Sequence, residues 1–188
     1  SNKLDSKGNR ILVLPFFEKK QSFEEKELKA NSFNFIYPTA KSTHKNNEKL
    51  IRAFISAQFT KTIKINLFLT IQGNNLKLDN KEIHYLGKLS SNELISLYKK
   101  SQILVYPSFK ESLGLPLVES IANGCNVICS KSLNIDEIIQ PTDTFNPRSV
   151  TSIKNSIEKV VNLDTLNNSK IIIKDKINKL IEIIYENV

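Results

Sequence analysis

Tyr106-Pro-Ser-Phe-Lys-Glu-Ser-Leu-Gly-Leu-Pro-Leu-Val-Glu-Ser-Ile-Ala-Asn-Gly-Cys-Asn-Val-Ile-Cys-Ser130 decides the fold class of this 188-residue chain. It reads as the end of a buried strand, a short loop holding one glycine, a helix and a second strand. A strand that stops near Pro107 projects its next residues past the carboxyl edge of the sheet, where open α/β sheets hold polar ligands. Glu111 and Glu119 stand eight residues apart across that loop, one at the strand mouth and one on the helix that leaves it. Gly114 permits positive φ or close approach of a ligand to the backbone, and Pro116 suits a first helical turn. The unpaired amides there can bind a phosphate or a sugar hydroxyl.

Working outward, strands are predicted at 33–37, 64–71, 82–86, 102–106, 126–129 and 143–145. Pro38 stops the first, and Gln72-Gly73 and Gly87 close the next two. Between them, Leu50, Ile51, Phe54, Ile55 and Phe59 recur at helical spacing over 47–59 and should lay an apolar stripe on a sheet. Ser90 with Glu93 three residues later is a capping-box pattern opening another helix. Further helices are expected at 117–122, 133–139, 149–161 and 168–185. Alternating strands and helices predict an α/β fold, a doubly wound, parallel, six-stranded Rossmann-like sheet.

Three segments follow from this pattern. Residues 1–31 hold a short strand at 11–15 and a charged linker, 32–165 form the Rossmann-like domain, and 166–188 form an amphipathic helix. The strand at 11–15 has no obvious pairing partner within the domain. It is expected to close a preceding domain, the alternative being a terminal β-arm packed on the same one.

Net charge is +8, almost wholly from lysine, with arginine only at Arg10, Arg52 and Arg148. Nucleic-acid readout favours clustered arginine forks and aromatic platforms, which argues against a nucleic-acid partner. A lysine-rich surface suits anionic ligands or an anionic membrane. Cys125 and Cys129, on or beside one extended strand, would have Cα atoms roughly 13 Å apart, too far for a disulfide, and read as core residues in a reducing compartment. The absence of a long apolar run or signal peptide predicts a cytoplasmic chain, compatible with peripheral contact at the cytoplasmic face of a membrane. Two histidines and no clustered carboxylates predict no metal requirement.

Each candidate group has a bland reading beside the functional one. Glu119 in a first helical turn is favoured by the helix dipole alone; functionally, its two oxygens would grip a vicinal diol such as a ribose. Glu111 is either plain surface charge or a loop carboxylate facing a ligand. The loop 37–46 is a second strand end feeding a helix, and it brings His44 and Lys45 to the same sheet edge. Lys45 could neutralise a diphosphate there, whereas His44 could simply cap the loop. His84 reads as a half-exposed sheet residue.

From about Phe33 to Val161 the chain resembles the C-terminal, donor-binding half of a GT-B retaining glycosyltransferase of family 4 (glycosyl transferases group 1). The resemblance rests on Glu111 and Glu119 separated by seven residues with Gly114-Leu115-Pro116 between them, and on His44-Lys45-Asn46. It implies a donor of the UDP- or GDP-sugar type, no cofactor and no metal. It implies that Glu111 contacts sugar hydroxyls and the charge developing at C1, that Glu119 binds the ribose, and that Lys45 meets the diphosphate. The amides of Leu113, Gly114 and Leu115 would lie near sugar and diphosphate, with Thr39 and His44 bordering them. Ile83, Gly87, Lys88 and Leu89 would border the base. Relatives often carry Gly-Arg or Gly-Thr where Pro38-Thr39 stands, so the arginine is absent and Lys45 is left as the main cation.

The resemblance further implies that a saccharide or lipid-linked acceptor enters through an N-terminal domain missing from the chain, so that the fragment alone would be inactive. The C1–O bond would break with the diphosphate leaving and configuration retained, in polysaccharide or glycolipid biosynthesis. Two other readings compete: a non-catalytic nucleotide-sugar or anion-binding module, and a nucleotide-sugar epimerase of GT-B type. A dinucleotide oxidoreductase is disfavoured, because Tyr37-Pro-Thr-Ala-Lys stands where Gly-x-Gly-x-x-Gly is required.

Overall fold

A computed structural model describes residues 32–110, 114–131, 135, 136 and 138–172, together with the backbone of 2–4 and 10–12. Its strands are β1 (Asn2–Leu4), β2 (Arg10–Leu12), β3 (Ser32–Tyr37), β4 (Lys64–Leu69), β5 (Leu76–Leu78), β6 (Lys81–Tyr85), β7 (Ile103–Tyr106), β8 (Asn126–Ser130), β9 (Ile139–Gln140), β10 (Asp143–Phe145) and β11 (Lys170–Ile171). Its helices are α1 (Asn47–Ser56), α2 (Ser91–Lys100), α3 (Leu115–Ala122) and α4 (Val150–Asn162), with a single 3-10 turn at Thr43–Lys45.

All six expected strands are present and parallel, in the order β10-β8-β7-β3-β4-β6. A seventh, β5, adds antiparallel to β6 at the edge, through a tight turn at Asp79-Asn80 where Asp79 takes φ 30°. Three residues of Leu-Lys-Leu carry too little periodicity to announce a strand, and only pairing with β6 makes them one. Helices cover both faces. Phe35 meets Phe54 of α1 edge-to-face at 6.1 Å, while its neighbour Asn34, turned to the other face by the pleat, donates its amide to the Lys100 carbonyl at the end of α2 at 2.8 Å. Between these layers Phe35, Tyr37, Phe54, Tyr98 and Tyr106 are fully buried. The Ser90–Glu93 capping box opens α2 as expected.

Several boundaries differ from the expected ones. The first helix ends at Ser56 rather than 59, because the Lys81 ammonium donates to the carbonyls of Ile55 and Ala57 and ends it there. Of the helix expected at 133–139, residues 133, 134 and 137 lie outside the described residues, and the remainder is a turn followed by β9. The helix expected from 168 does not begin there. Ser169 accepts hydrogen bonds from the Val127 and Thr142 amides at 2.8 and 3.0 Å, and this anchor holds β11 extended against β9; residues 173–185 lie outside the described residues. Arg10–Leu12 pairs antiparallel with Asn2–Leu4, while 13–15 and the charged linker lie outside. Among the described residues no helix is long and apolar enough to cross a membrane.

Cys125 and Cys129 are both buried and form no disulfide, and burial pushes the Cys129 thiol up to about 12. They are core residues, as expected.

A polar row crosses one sheet face where apolar residues would be usual. Asn66 donates to Asn34 Oδ1 at 2.8 Å, and His84 Nε2 lies 3.3 Å from Asn66 Oδ1. His84 stacks on Phe68 at 4.7 Å, and buried Glu82 pairs with Lys64 at 2.6 Å. Burial holds the His84 pKa below its ordinary 6.5, with the Glu82 charge opposing the shift. The hydrogen bond from Lys64 holds Glu82 below 4.5. The unfolded chain therefore binds more protons than the folded one in both windows, and stability falls as pH falls. The thermal midpoint should decline first below about pH 6.5, as His84 is forced to charge, and again below about pH 4.5, as Glu82 is protonated. In pH-dependent melting, His84→Gln should remove the upper stage and leave the lower one; an unchanged upper stage would assign it elsewhere.

Candidate functional site

From β3 the chain winds outward through β4 and β6, then returns to lay β7, β8 and β10 on the other side. The loops leaving β3 and β7 thus diverge between adjacent strands, which is the position where doubly wound sheets form a ligand crevice. Residues 38–46 follow β3, and 107–114 follow β7.

These two loops are stitched together at their bases. Tyr37 and Tyr106, the last residues of β3 and β7, meet edge-to-face at 5.5 Å. The Tyr37 hydroxyl donates to the Lys45 carbonyl at 2.7 Å and lies 2.9 Å from Ser108 Oγ. The Phe109 amide donates to the His44 carbonyl at 2.9 Å. Asn46 is buried and left-handed at φ 58°; its amide donates to the carbonyls of Pro107 at 3.1 Å and Pro147 at 2.8 Å. Pro147 precedes Arg148, whose guanidinium lies 5.6 Å from the centre of the Phe109 ring.

Lys45 is half-buried over Tyr106, its ammonium 5.6 Å from the ring centre and 3.5 Å from the hydroxyl. A cation so placed is attracted by the negative face of the ring. His44 is exposed, with Nδ1 2.6 Å from Ser42 Oγ. Thr39 is tied to the end of β4: its amide donates to Thr70 Oγ1 at 2.7 Å, and the Thr70 hydroxyl donates back to the Thr39 carbonyl at 2.9 Å.

On the other loop, Gly114 takes φ 61° at the N-terminus of α3, and its carbonyl accepts from the Leu117 amide at 2.9 Å. Leu115 is exposed. Glu111 and Leu113 lie outside the described residues. Glu119 is the fifth residue of α3 and exposed, so it sits beyond the first turn and the dipole alone does not account for it. Burial, and then the Glu119 charge beside it, keeps the Tyr98 hydroxyl protonated well above its ordinary range.

Beside the crevice a cleft of about 490 Å³ opens at the carboxyl ends of β3, β4 and β6. Thr39, Lys41, Thr70, Ile71, Gln72, Lys88, Leu89 and Leu94 are among the residues that line it. Gly87 turns the chain at φ 68° under Gln72, whose Nε2 would lie 2.6 Å from an added Cβ. Ile83 is fully buried at the centre of β6 and does not line the cleft. Lys45 and His44 thus stand at the crevice, and Thr39 and Lys88 at the adjoining cleft. Tyr37, Tyr106 and Ser108 have no role assigned from the sequence, and Asn46 enters there only within the His44-Lys45-Asn46 stretch. Two tyrosines ending two apolar strands were a visible signal; the role of Asn46 depends on carbonyls 61 and 101 residues away.

A family model described as glycosyl transferases group 1 matches residues 18–179. The serotype-specific mannosyltransferase WbdA of Escherichia coli is 28% identical over 130 residues, 62% of this chain and 16% of WbdA. The O-antigen chain mannosyltransferase RfbU of Salmonella typhimurium is 29% identical over 167 residues, 83% of this chain and 46% of RfbU. This chain therefore spans less than half the length of either relative. Among solved structures, the catalytic domain of cholesterol-α-glucosyltransferase from Helicobacter pylori matches with a TM-score of 0.52 at 19% identity, covering 68% of this chain and 84% of that one. The C-terminal domain of the group 1 glycosyl transferase LpcC from Francisella tularensis matches with a TM-score of 0.52 at 19% identity, covering 70% and 75%. Likeness at that level establishes the fold.

Proposed function

The chain belongs to the glycosyl transferases group 1 family, and from that premise we propose that it binds the nucleotide-diphosphate-sugar donor of a retaining hexosyltransferase in polysaccharide or glycolipid biosynthesis. The observation that supports this reading is the joining of the Lys45 loop to the strand end at 107–109 at the switch point, beside a cleft of about 490 Å³. The base would lie between Ile71, Leu89 and Leu94, with Thr39, Gly87 and Lys88 at its margin. Glu119 would hold the ribose diol through two charge-assisted hydrogen bonds. The Lys45 ammonium would take the charge that builds on the diphosphate as the C1–O bond breaks, with the amides at Gly114 and Leu115 helping to seat it. Glu111 and Leu113, on the same loop, are assigned to the sugar, and His44 shields the loop.

Both relatives named above are mannosyltransferases, so mannose is the proposed sugar. The acceptor is proposed to be a saccharide or a lipid-linked saccharide, met at the cytoplasmic face of a membrane by the whole protein. No metal is assigned a role.

Calorimetric titration with UDP, GDP and their sugars tests this. One nucleotide should bind saturably, its mannose conjugate should bind more tightly, and Glu119→Ala should weaken binding about 10- to 100-fold, the worth of lost hydrogen bonds to a charged group. A Glu119→Ala chain that binds as the unaltered one does removes the ribose assignment.

A further inference from the structure

We propose that Asn46 is a positioning residue: it locks the Lys45 loop to the loop that carries Glu111, and so sets where the cation meets the donor diphosphate. The inference rests on the donor-binding reading above and assigns a residue that reading does not use.

The geometry is specific to asparagine. The backbone at φ 58°, ψ 32° lies in the left-handed region, which only glycine, asparagine and aspartate enter readily. The side chain is buried, and its amide nitrogen spends both hydrogens on carbonyls of two other loops, those of Pro107 and Pro147. Glycine could take the backbone conformation without either bond, and aspartate could take it without a donor. The Asn46 carbonyl meanwhile accepts from the Leu50 amide at 3.3 Å and so opens α1. One residue therefore starts a helix, follows the cation directly in sequence, and fixes its loop to the strand end that leads to Glu111.

Proline strengthens the arrangement. Both acceptor carbonyls belong to residues whose φ is locked by a ring, so the amide closes on two stiff points. The clasp between the Phe109 amide and the His44 carbonyl, at 2.9 Å, lies on the same seam. It should hold only while Asn46 keeps the loops in register. A cation placed loosely by even an ångström loses much of its value to a developing charge.

The test uses Asn46→Gly, which keeps the backbone conformation and deletes the amide, alongside Asn46→Asp, which keeps shape but not the donor. Hydrogen exchange of the Phe109 amide should quicken roughly tenfold or more in both, while that of Ile128, within β8 of the sheet, stays unchanged. Affinities for UDP and UMP, and for GDP and GMP, are then compared. The diphosphate-to-monophosphate affinity ratio should fall roughly tenfold, because the base cleft is untouched while the cation is displaced. Unchanged exchange at Phe109 overturns the proposal whatever the nucleotides do. Faster exchange with an unaltered ratio also overturns it, leaving Asn46 a structural clasp with no hold on the cation. An unaltered chain that binds none of the four nucleotides overturns the donor reading and, with it, the diphosphate role; the exchange data then decide the clasp alone.

Discussion

Replacing Tyr106 with alanine is expected to lower the thermal midpoint by roughly 10 °C and to weaken nucleotide-diphosphate binding together with it. Tyr106 is fully buried at the end of β7, packed edge-to-face on Tyr37, with the Lys45 ammonium over its ring. Truncating a buried aromatic ring to alanine costs about 3–5 kcal/mol, from lost burial and from the cavity left behind. Here the cavity would open directly under the cation and beside the Tyr37 ring, whose hydroxyl holds the Lys45 carbonyl. Tyr106→Phe separates the two effects. It keeps the ring, and thus the packing and the cation's aromatic platform, and removes only the hydroxyl 3.5 Å from Lys45 Nζ, so it should cost about 1 kcal/mol. Melting followed by circular dichroism, with titration of UDP and GDP on both variants, measures this. An alanine variant as stable as the phenylalanine one would show that the strand end is not packed as described.

Gly114→Val is the second large effect, and it should abolish donor binding at concentrations that saturate the unaltered chain. The backbone at φ 61° costs an L-residue about 1–2 kcal/mol, and a β-branched one more. An added Cβ would also stand 3.1 Å from Leu117 Cδ1, closer than comfortable packing, with Ile138 Cδ1 at 3.9 Å behind it. The least costly relief is for the loop to leave the left-handed conformation. That would reorient the amides at the start of α3, which the donor-binding reading sets against the diphosphate. A destabilisation of about 2–4 kcal/mol is expected in denaturant melts. Gly114→Asn is the control, since asparagine tolerates this conformation and should retain most of the stability. If valine and asparagine behave alike, crowding rather than backbone conformation is the constraint at this position.

Most of the fold was legible because each parallel strand is a short apolar run bounded by proline, glycine or polar residues, and each helix carries an apolar stripe. The elements that were not legible are those whose conformation is decided elsewhere. Leu76–Leu78 becomes a strand only by pairing with β6. Lys170–Ile171 is extended because Ser169 is bonded to the Val127 and Thr142 amides, although the surrounding sequence has helical periodicity.

The site divides in the same way. Gly114, Pro116 and Glu119 announce themselves locally, because a strand end, a left-handed turn and a helix start each need particular residue types. The resemblance implies that Ile83 borders the base, whereas the pleat and the register with Leu67 bury it in the sheet. Asn46, Tyr37 and Tyr106 look like ordinary residues at strand and helix ends until the sheet order sets β3 beside β7. The sequence by itself determined the α/β class, the parallel strands and the glycine turn that opens α3, since those depend on periodicity and backbone preference. Only the tertiary structure decided where the chain reverses its winding, and therefore which two loops face each other. That outcome depends on strand order and on hydrogen bonds spanning 61 to 101 residues of chain, which no local pattern encodes.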